Sequence, residues 1–431
     1  MFKKIIIALF AVLSIAACTS DNGIIHVENG QFIKHGKPYY FVGTNFWYGP
    51  ILGSTGEGGN RERLARELDR LHELGLDNLR VLVGSDGNRG IVARVEPTLQ
   101  ERPGQYNDTL LVGLDYFLAE LGKRDMEDVL YLNNSWEWTG GYSQYLEWAG
   151  KGRAPIPAVD GYDAFRDYVS EYFKCDEARA LFNTYVKDIV TRTNSVTGVK
   201  YCDDPAIFSW QIGNEPRPFG DDNDETFALW IGEVAKLIKE LDPNHMVSIG
   251  SEGFYGCESH LDLYERICIY PEVDYINAHI WPFNWTWIHS DTMTEEIDNA
   301  IENTNKYIDM HIGVADKVGK PLTVEEFGFP RDGFRFEKEA GVTLRDTYYK
   351  AMFSRIVKAS AEGSRFAGVN FWGWGGYAEP TPGHVYWMKG DDYCGDPAQE
   401  QQGLNSVFAS DASTLAIISE ANEAIKGNLA E

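Results

Sequence analysis

The sequence predicts a single (β/α)8 barrel, and three observations carry that prediction. Eight short apolar runs alternate with longer amphipathic segments from residue 40 to residue 372. The runs are near-continuously apolar, as strands covered on both faces are. Polar and aromatic side chains collect where the runs end, which is where such barrels place their chemistry. A doubly wound open sheet is the main alternative, but no Gly-x-Gly-x-x-Gly turn follows an early strand.

The first run is Tyr40–Phe46, followed by Arg61–Leu74, whose apolar positions recur at helical spacing. Asp77–Val83 is the second strand and Asp128–Asn133 the third. One long helical stretch, Asp163–Thr193, leads to the fourth strand, Ala206–Gly213. Helix Glu225–Leu241 precedes the fifth strand, Met246–Ser251, and Val273–His279 is the sixth. Helix Thr294–Val318, strand Pro321–Glu326, helix Thr343–Ala361 and strand Phe366–Trp372 complete the pattern. No long Ser/Pro/Gly linker, low-complexity tract or internal repeat interrupts it. One catalytic-sized domain over residues 24–431 is therefore expected, a length such barrels reach with insertions.

Composition narrows the function. A formal net charge of -26 argues against nucleic acid and anionic lipid headgroups as partners. Aromatics make up 13% of the chain, with 12 Trp, enough to build flat platforms for sugar rings as well as a core. Met1–Ala17 reads as a secretory leader: Lys3 and Lys4 open it, and an apolar stretch too short to span a membrane follows. It ends Ile15-Ala16-Ala17-Cys18, which resembles a bacterial lipoprotein lipobox. Cys18 would become the lipidated N-terminus, joined to the domain by a short tether over residues 18–23. The expected location is the bacterial envelope, held to the outer membrane on its periplasmic or surface face, with the lipid as the sole membrane contact. The other cysteines are Cys175, Cys202, Cys257, Cys268 and Cys394. They form no CxxC pair and no HExxH occurs, so neither a metal nor a cofactor is expected. Export permits disulfides, and Cys257–Cys268 and Cys175–Cys202 are the pairings that spacing suggests.

The strand ends carry Trp47, Arg80, Asn134 with Trp136, Asn214 with Glu215, Glu252, His279 with Trp281, Glu326 and Trp372. The apolar run AIFSWQIG stops at Asn214-Glu215-Pro216, and Pro216 cannot continue a central strand. Burial there raises a carboxyl pKa, which suits a general acid. A second carboxylate on strand seven supplies the partner that cleavage of a glycosidic bond needs: a nucleophile, if the pair lies about 5 Å apart. Arg80 and His279 would keep that nucleophile ionised, and Asn214 would bond a sugar hydroxyl. Glu325 and Glu326 compete for the second role. Alternation along a strand lets only one face the mouth, leaving the other outward in an ion pair.

These residues resemble a known family. AIFSWQIGNEPR is similar to the acid/base stretch of retaining β-glycanases of glycoside hydrolase family 5, clan A. PLTVEEFG resembles their nucleophile stretch, in which the nucleophile directly precedes Phe-Gly, a position that falls on Glu326. NLRVLVGSDG, LNNSWEWTGGYSQYLEWAG, INAHIWPFNWTW, NFWGWGG and GDPAQEQQGLNSVF resemble subfamily 7, the endo-β-1,4-mannanases. The resemblance implies Glu215 as acid/base and Glu326 as nucleophile. It places Arg80, Asn214, His279 and Trp372 around the central sugar, and Trp47 and Trp136 as cleft aromatics. Trp281 stands where many members carry Tyr, and Gln401 where Pro is usual. The implied activity is hydrolysis of internal β-1,4-mannosidic bonds by a monomer. Two other readings stay open: another β-1,4-glycanase such as an endoglucanase, or a non-catalytic glycan-binding lipoprotein.

Overall fold

The computed structural model describes residues 23–430, so the expected leader and Cys18 lie outside the described residues. Eight parallel strands form the central sheet: β1 Phe41–Asn45, β2 Asn78–Leu82, β3 Glu127–Tyr131, β4 Ile207–Gln211, β5 Met246–Ser248, β6 Ile276–Ile280, β7 Leu322–Phe327 and β8 Phe366–Phe371. Their hydrogen-bonded order is β5-β4-β3-β2-β1-β8-β7-β6. The remaining seam, β5 to β6, is closed partly by a side chain. Asn277 Oδ1 accepts from Ile249 N (3.1 Å) and Gly250 N (2.8 Å), while Asp274 N donates to Val247 O (2.8 Å) and His279 N to Glu252 O (3.2 Å). That diversion ends β5 at Ser248, short of the expected Ser251. The chain is a (β/α)8 barrel, as its alternating pattern predicts.

Every strand residue from β1 to β8 is buried, which is why these runs read as continuously apolar. Helices cover the outside. The helix Arg61–Glu73 starts where the Asn60 side chain accepts from Arg63 N (2.9 Å), and Asp108–Gly122 where Asn107 accepts from Thr109 N (3.1 Å). The helices Met293–Val318 and Thr343–Glu362 stop at Gly319 (φ 74°) and Gly363 (φ 66°), left-handed positions that favour glycine. A small hairpin sheet missed in the sequence, His26–Glu28, Gln31–Lys34 and Lys37–Pro38, plugs the N-terminal end of the barrel. Its Phe32 ring meets Phe208 (5.1 Å) and Tyr275 (5.2 Å) edge-on, and burying such a ring contributes about 1.5–3 kcal/mol. A C-terminal helix, Ala412–Ala430, also missed, packs against helix Thr343–Glu362.

Two expectations are corrected. The helical stretch 163–193 is three pieces: Tyr162–Val169, a 3-10 turn at Tyr172–Lys174, and Asp176–Val190. Tyr172 stacks on Tyr142 (4.3 Å) and meets Trp230, and sinking it and Phe173 into that cluster turns the chain. Neither suggested disulfide forms; all five cysteines of the described residues are free thiols. Burial pushes the Cys268 thiol up to about 12, so it stays protonated. Among the described residues no helix is long and apolar enough to cross a membrane.

Candidate active site

Beyond β4 the chain keeps bonding to its neighbours: Asn214 N donates to Asn133 O (2.7 Å) and Glu215 N to Gly250 O (2.9 Å). These bonds hold Glu215 at φ 50°, a strained conformation for a non-glycine residue that persists only when its surroundings over-determine it. Its carboxyl faces the mouth. Oε2 accepts from Trp136 Nε1 (2.6 Å) and Oε1 lies 2.9 Å from His279 Nδ1.

Glu326 comes from β7, across the mouth. Arg80 Nη1 donates to its Oε1 (2.5 Å), Trp281 Nε1 to its Oε2 (3.3 Å), and His279 Nδ1 is 3.5 Å from Oε2. One carboxylate oxygen of Glu215, one of Glu326 and a ring nitrogen of His279 all lie within 4.8 Å of one another.

Glu325 corrects an expectation. It does not point outward: it is buried inside the barrel, accepting from Gln211 Nε2 (2.6 Å) and Tyr275 OH (3.1 Å), with Arg80 Nε at 3.8 Å. The register between β6 and β7 skips from Ala278↔Val324 to His279↔Glu326, which leaves Glu325 as the extra residue of a bulge. Alternation of faces breaks at a bulge, so both glutamates turn inward.

Arg80 is fully buried, and each of its guanidinium nitrogens is hydrogen-bonded. Besides Glu326 it donates to Asn45 Oδ1 (3.0 Å), Gln211 Oε1 (2.9 Å) and Asn214 Oδ1 (2.8 Å), and lies 4.6 Å from the Tyr131 ring. Asn134 Oδ1 in turn accepts from Asn214 Nδ2 (3.2 Å) and Trp136 N (3.0 Å). Asn214 lines the cleft, whereas Asn134 sits behind it as a brace. Sequence reading missed Asn45, Gln211 and Tyr131; polar residues interrupting apolar strands were the available signal.

Electrostatics separates the two carboxyls. Burial raises both pKa values, that of Glu326 more because it also feels the Glu215 charge, a contribution that vanishes once Glu215 holds the proton; Arg80 opposes the rise at Glu326, while Arg217 and the Trp136 hydrogen bond oppose it at Glu215. Two carboxyls this close titrate as a pair and hold one proton between them. Arg80 touches Glu326 directly and not Glu215, so the charge settles on Glu326 and the proton on Glu215. His279 differs from expectation: burial and Arg80 push its pKa well down, so it is a neutral imidazole that acts by hydrogen bonding, not by charge. The donor types for a metal meet at Glu215, His279 and Glu326, but the Arg80 guanidinium against Glu326 is an unfavourable neighbour for a cation.

The cleft around the pair has a volume of about 750 Å³. Trp372 and Trp281 line it with ring centroids 6.1 Å apart, and Trp138 meets Trp372 at 6.2 Å. Glu252 lines the side beyond Glu215, clasped by Arg217 Nε (2.5 Å) and Nη2 (2.6 Å), with the Arg217 guanidinium 5.3 Å from the Trp136 ring. Arg217 closes the sequence stretch ending NEPR, yet it was not singled out. Trp47 lies outside the lining: it is buried behind Trp138, its Nε1 bonded to Gly395 O (3.0 Å). Glu400 was also missed. It lies on the loop 395–406, lines the cleft, and encloses an unpartnered Oε2. Burial, Asp396 and the two central glutamates raise its pKa well above the usual carboxyl range. With Gln401 in place of the usual Pro, that loop is closed by Asp396, which accepts from Gly403 N (3.0 Å), Asn405 N (2.9 Å) and Ser406 N (3.0 Å).

Known proteins resemble this chain over nearly its whole length. A mannosidase of glycoside hydrolase family 5 from Rhizomucor miehei superposes with a TM-score of 0.87 at 30% identity, covering 95% of this chain and 99% of that one. An endo-1,4-beta-mannanase of the same organism shares the fold, with a TM-score of 0.66 at 23% identity over 94% of this chain and 99% of its own. Mannan endo-1,4-beta-mannosidase 1 of Oryza sativa subsp. japonica is 28% identical over 385 residues, 85% of this chain and 82% of the rice protein. The sequence profile of the beta-mannosidase-like group of glycoside hydrolase family 5 matches residues 22–429. With an eight-stranded parallel barrel and that match across the described chain, the protein belongs to glycoside hydrolase family 5, in its β-mannosidase-like group.

Proposed function

We propose that the chain hydrolyses internal β-1,4-mannosidic bonds of mannan, glucomannan or galactomannan with retention of configuration. The observation that carries the reading is the approach of Glu215 and Glu326, with carboxylate oxygens within 4.8 Å. Retaining enzymes hold their carboxyls about 5–5.5 Å apart, and inverting ones about 6.5–9.5 Å to admit a water. Glu326, charged beside Arg80, attacks the anomeric carbon while Glu215 gives its proton to the leaving oxygen. The glycosyl-enzyme is then released by a water that the deprotonated Glu215 activates. Trp281 and His279 hold the Glu326 carboxylate in line, and Asn214, oriented by Arg80 and Asn134, offers its amide to the sugar hydroxyl next to the reacting carbon. The mannan substrate is supported by the names of the rice and fungal relatives.

The test is a substrate panel with product stereochemistry. Proton NMR should show the β-anomer first, and glucomannan and mannan should be cut faster than cellulose. An α-anomer, or a preference for cellulose, would overturn the reading, and binding of mannan without release of reducing ends would make the protein a glycan-binding one.

A specific observation favours a second reading, release of single mannose units from chain ends. The cleft is lined by loops after β3 to β8 and by none after β1 or β2, where Trp47 and Gly395 form a closed wall. The similar fungal protein is named a mannosidase. Products of mannohexaose decide: a spread of oligosaccharides at early times supports internal cleavage, and mannose alone supports end-wise release.

We also propose export and lipid anchoring, on residues 1–18 alone. Mass spectrometry of the mature N-terminus should find an acylated Cys18, and an unmodified N-terminus elsewhere would refute it.

A further inference from the structure

The loop between β8 and the 395–406 segment carries a cluster that the catalytic chemistry does not use. Val385, Tyr386 and Met388 are 37, 53 and 56% exposed, although each is large and apolar. Scattered single apolar residues are ordinary on a surface, but three within four positions beside a cleft mark a contact site. Of the three, Tyr386 lines the cleft.

The loop that presents it is rigidly built. Asp391 gathers Thr381 Oγ1 (2.6 Å), His384 Nδ1 (2.8 Å) and Met388 N (2.8 Å). Trp387 stacks on Tyr393 at 5.5 Å and donates Nε1 to Asp391 O (3.2 Å). Gln402 N donates to Val385 O (2.9 Å), tying the loop to the segment that carries Glu400. The backbone on either side of Tyr386 is thus fixed before any ligand arrives, which lowers the ordering cost of binding there.

We propose that Tyr386 is a stacking platform for a β-mannan pyranose removed from the cleaved bond, on the β8 flank of the cleft. This rests on the mannan-hydrolase reading above. β8 lies across the barrel from β4, so this flank faces the one where Arg217 clasps Glu252. The ligand is an uncharged sugar ring: its apolar face covers the exposed phenol ring, and the neighbouring wall, Gln399 to Gln401, supplies polar groups to its hydroxyls.

The test compares a long with a short substrate in the whole protein. In Tyr386→Ala, kcat/KM for mannohexaose should fall roughly 5–10-fold while that for mannotriose stays within about twofold of wild type. Tyr386→Phe should restore the mannohexaose value, because the ring and not the hydroxyl does the stacking. Met388→Ala, exposed but outside the lining, should leave both values unchanged. Equal losses on both substrates, or no loss on either, would overturn the platform while leaving the hydrolase reading intact. A wild-type protein that cleaves neither substrate would defeat the hydrolase reading and this inference with it.

Discussion

Glu325 inside the barrel and Glu326 at its mouth are consecutive on β7, and both lie within reach of Arg80. Inside, Glu325 is saturated by fixed donors, Gln211 and Tyr275, and faces no open space. At the mouth, Glu326 spends one oxygen on Arg80 and turns the other toward the cleft, past Trp281 and His279. Residue type and strand are the same. What differs is whether the carboxylate has a free approach, so the interior glutamate supports Arg80 and the mouth glutamate is left able to react.

The largest expected effect comes from the mouth. Glu326→Ala should lower kcat about 10⁴-fold or more, and Glu215→Ala about 10²–10⁴-fold, with unchanged circular dichroism. A loss under tenfold in either would break the distinction between the two regions. Arg80→Met touches both regions at once. It leaves Glu325 and Glu326 buried without their cation, and should cost about 3–5 kcal/mol by urea unfolding together with most activity. Unchanged stability would mean that the interior glutamate is neutral without help from Arg80. Glu325→Gln keeps the size and one acceptor, and should cost only about 1–2 kcal/mol with kcat retained within about tenfold. A collapse of activity as deep as that of Glu326→Ala would place the reactive carboxylate one residue earlier.

The smallest effect sharpens the electrostatics. The proposed mechanism requires Glu326 charged and Glu215 protonated, so activity should fall on the acid side as Glu326 gains its proton and on the alkaline side as Glu215 loses its own. The Trp136 indole favours the charged form of Glu215 and so lowers its pKa. Trp136→Phe removes that donor, and the alkaline limb of the kcat/KM profile should move up by about half to one pH unit. A downward shift would contradict the assignment of the proton to Glu215.

Much of this was legible beforehand, and the reasons for the rest are physical. The positions of Glu215, Glu326, Asn214 and His279 follow from strand ends, because a barrel brings its strand ends to one mouth whatever the loops do; Arg80, expected among them, sits in the middle of β2 and reaches Glu326 from the interior. Their partners did not follow. Arg217 reaches Glu252 only because β4 and β5 are neighbours in the sheet, and Gln211 reaches both Arg80 and Glu325 only because all three point into one interior. Trp47 carries the same residue type as Trp372 and also follows a strand, yet Trp47 is packed against Trp138 and Gly395 and closes that side, whereas Trp372 lines the open cleft. Aromatic character says that a ring prefers to be covered, not by what.

The sequence by itself determined the barrel, its strand order in the chain and the two carboxylates at its mouth. Apolar periodicity dictates which segments are covered on both faces, and a proline stops a strand at a definite residue. Only the tertiary structure decided the inward turn of Glu325 at the β6–β7 bulge, the neutrality of His279, and the closure of one wall by Trp47 and the Glu400 loop. Each depends on register, burial or contacts between residues far apart in the chain, and those exist only once the barrel has closed.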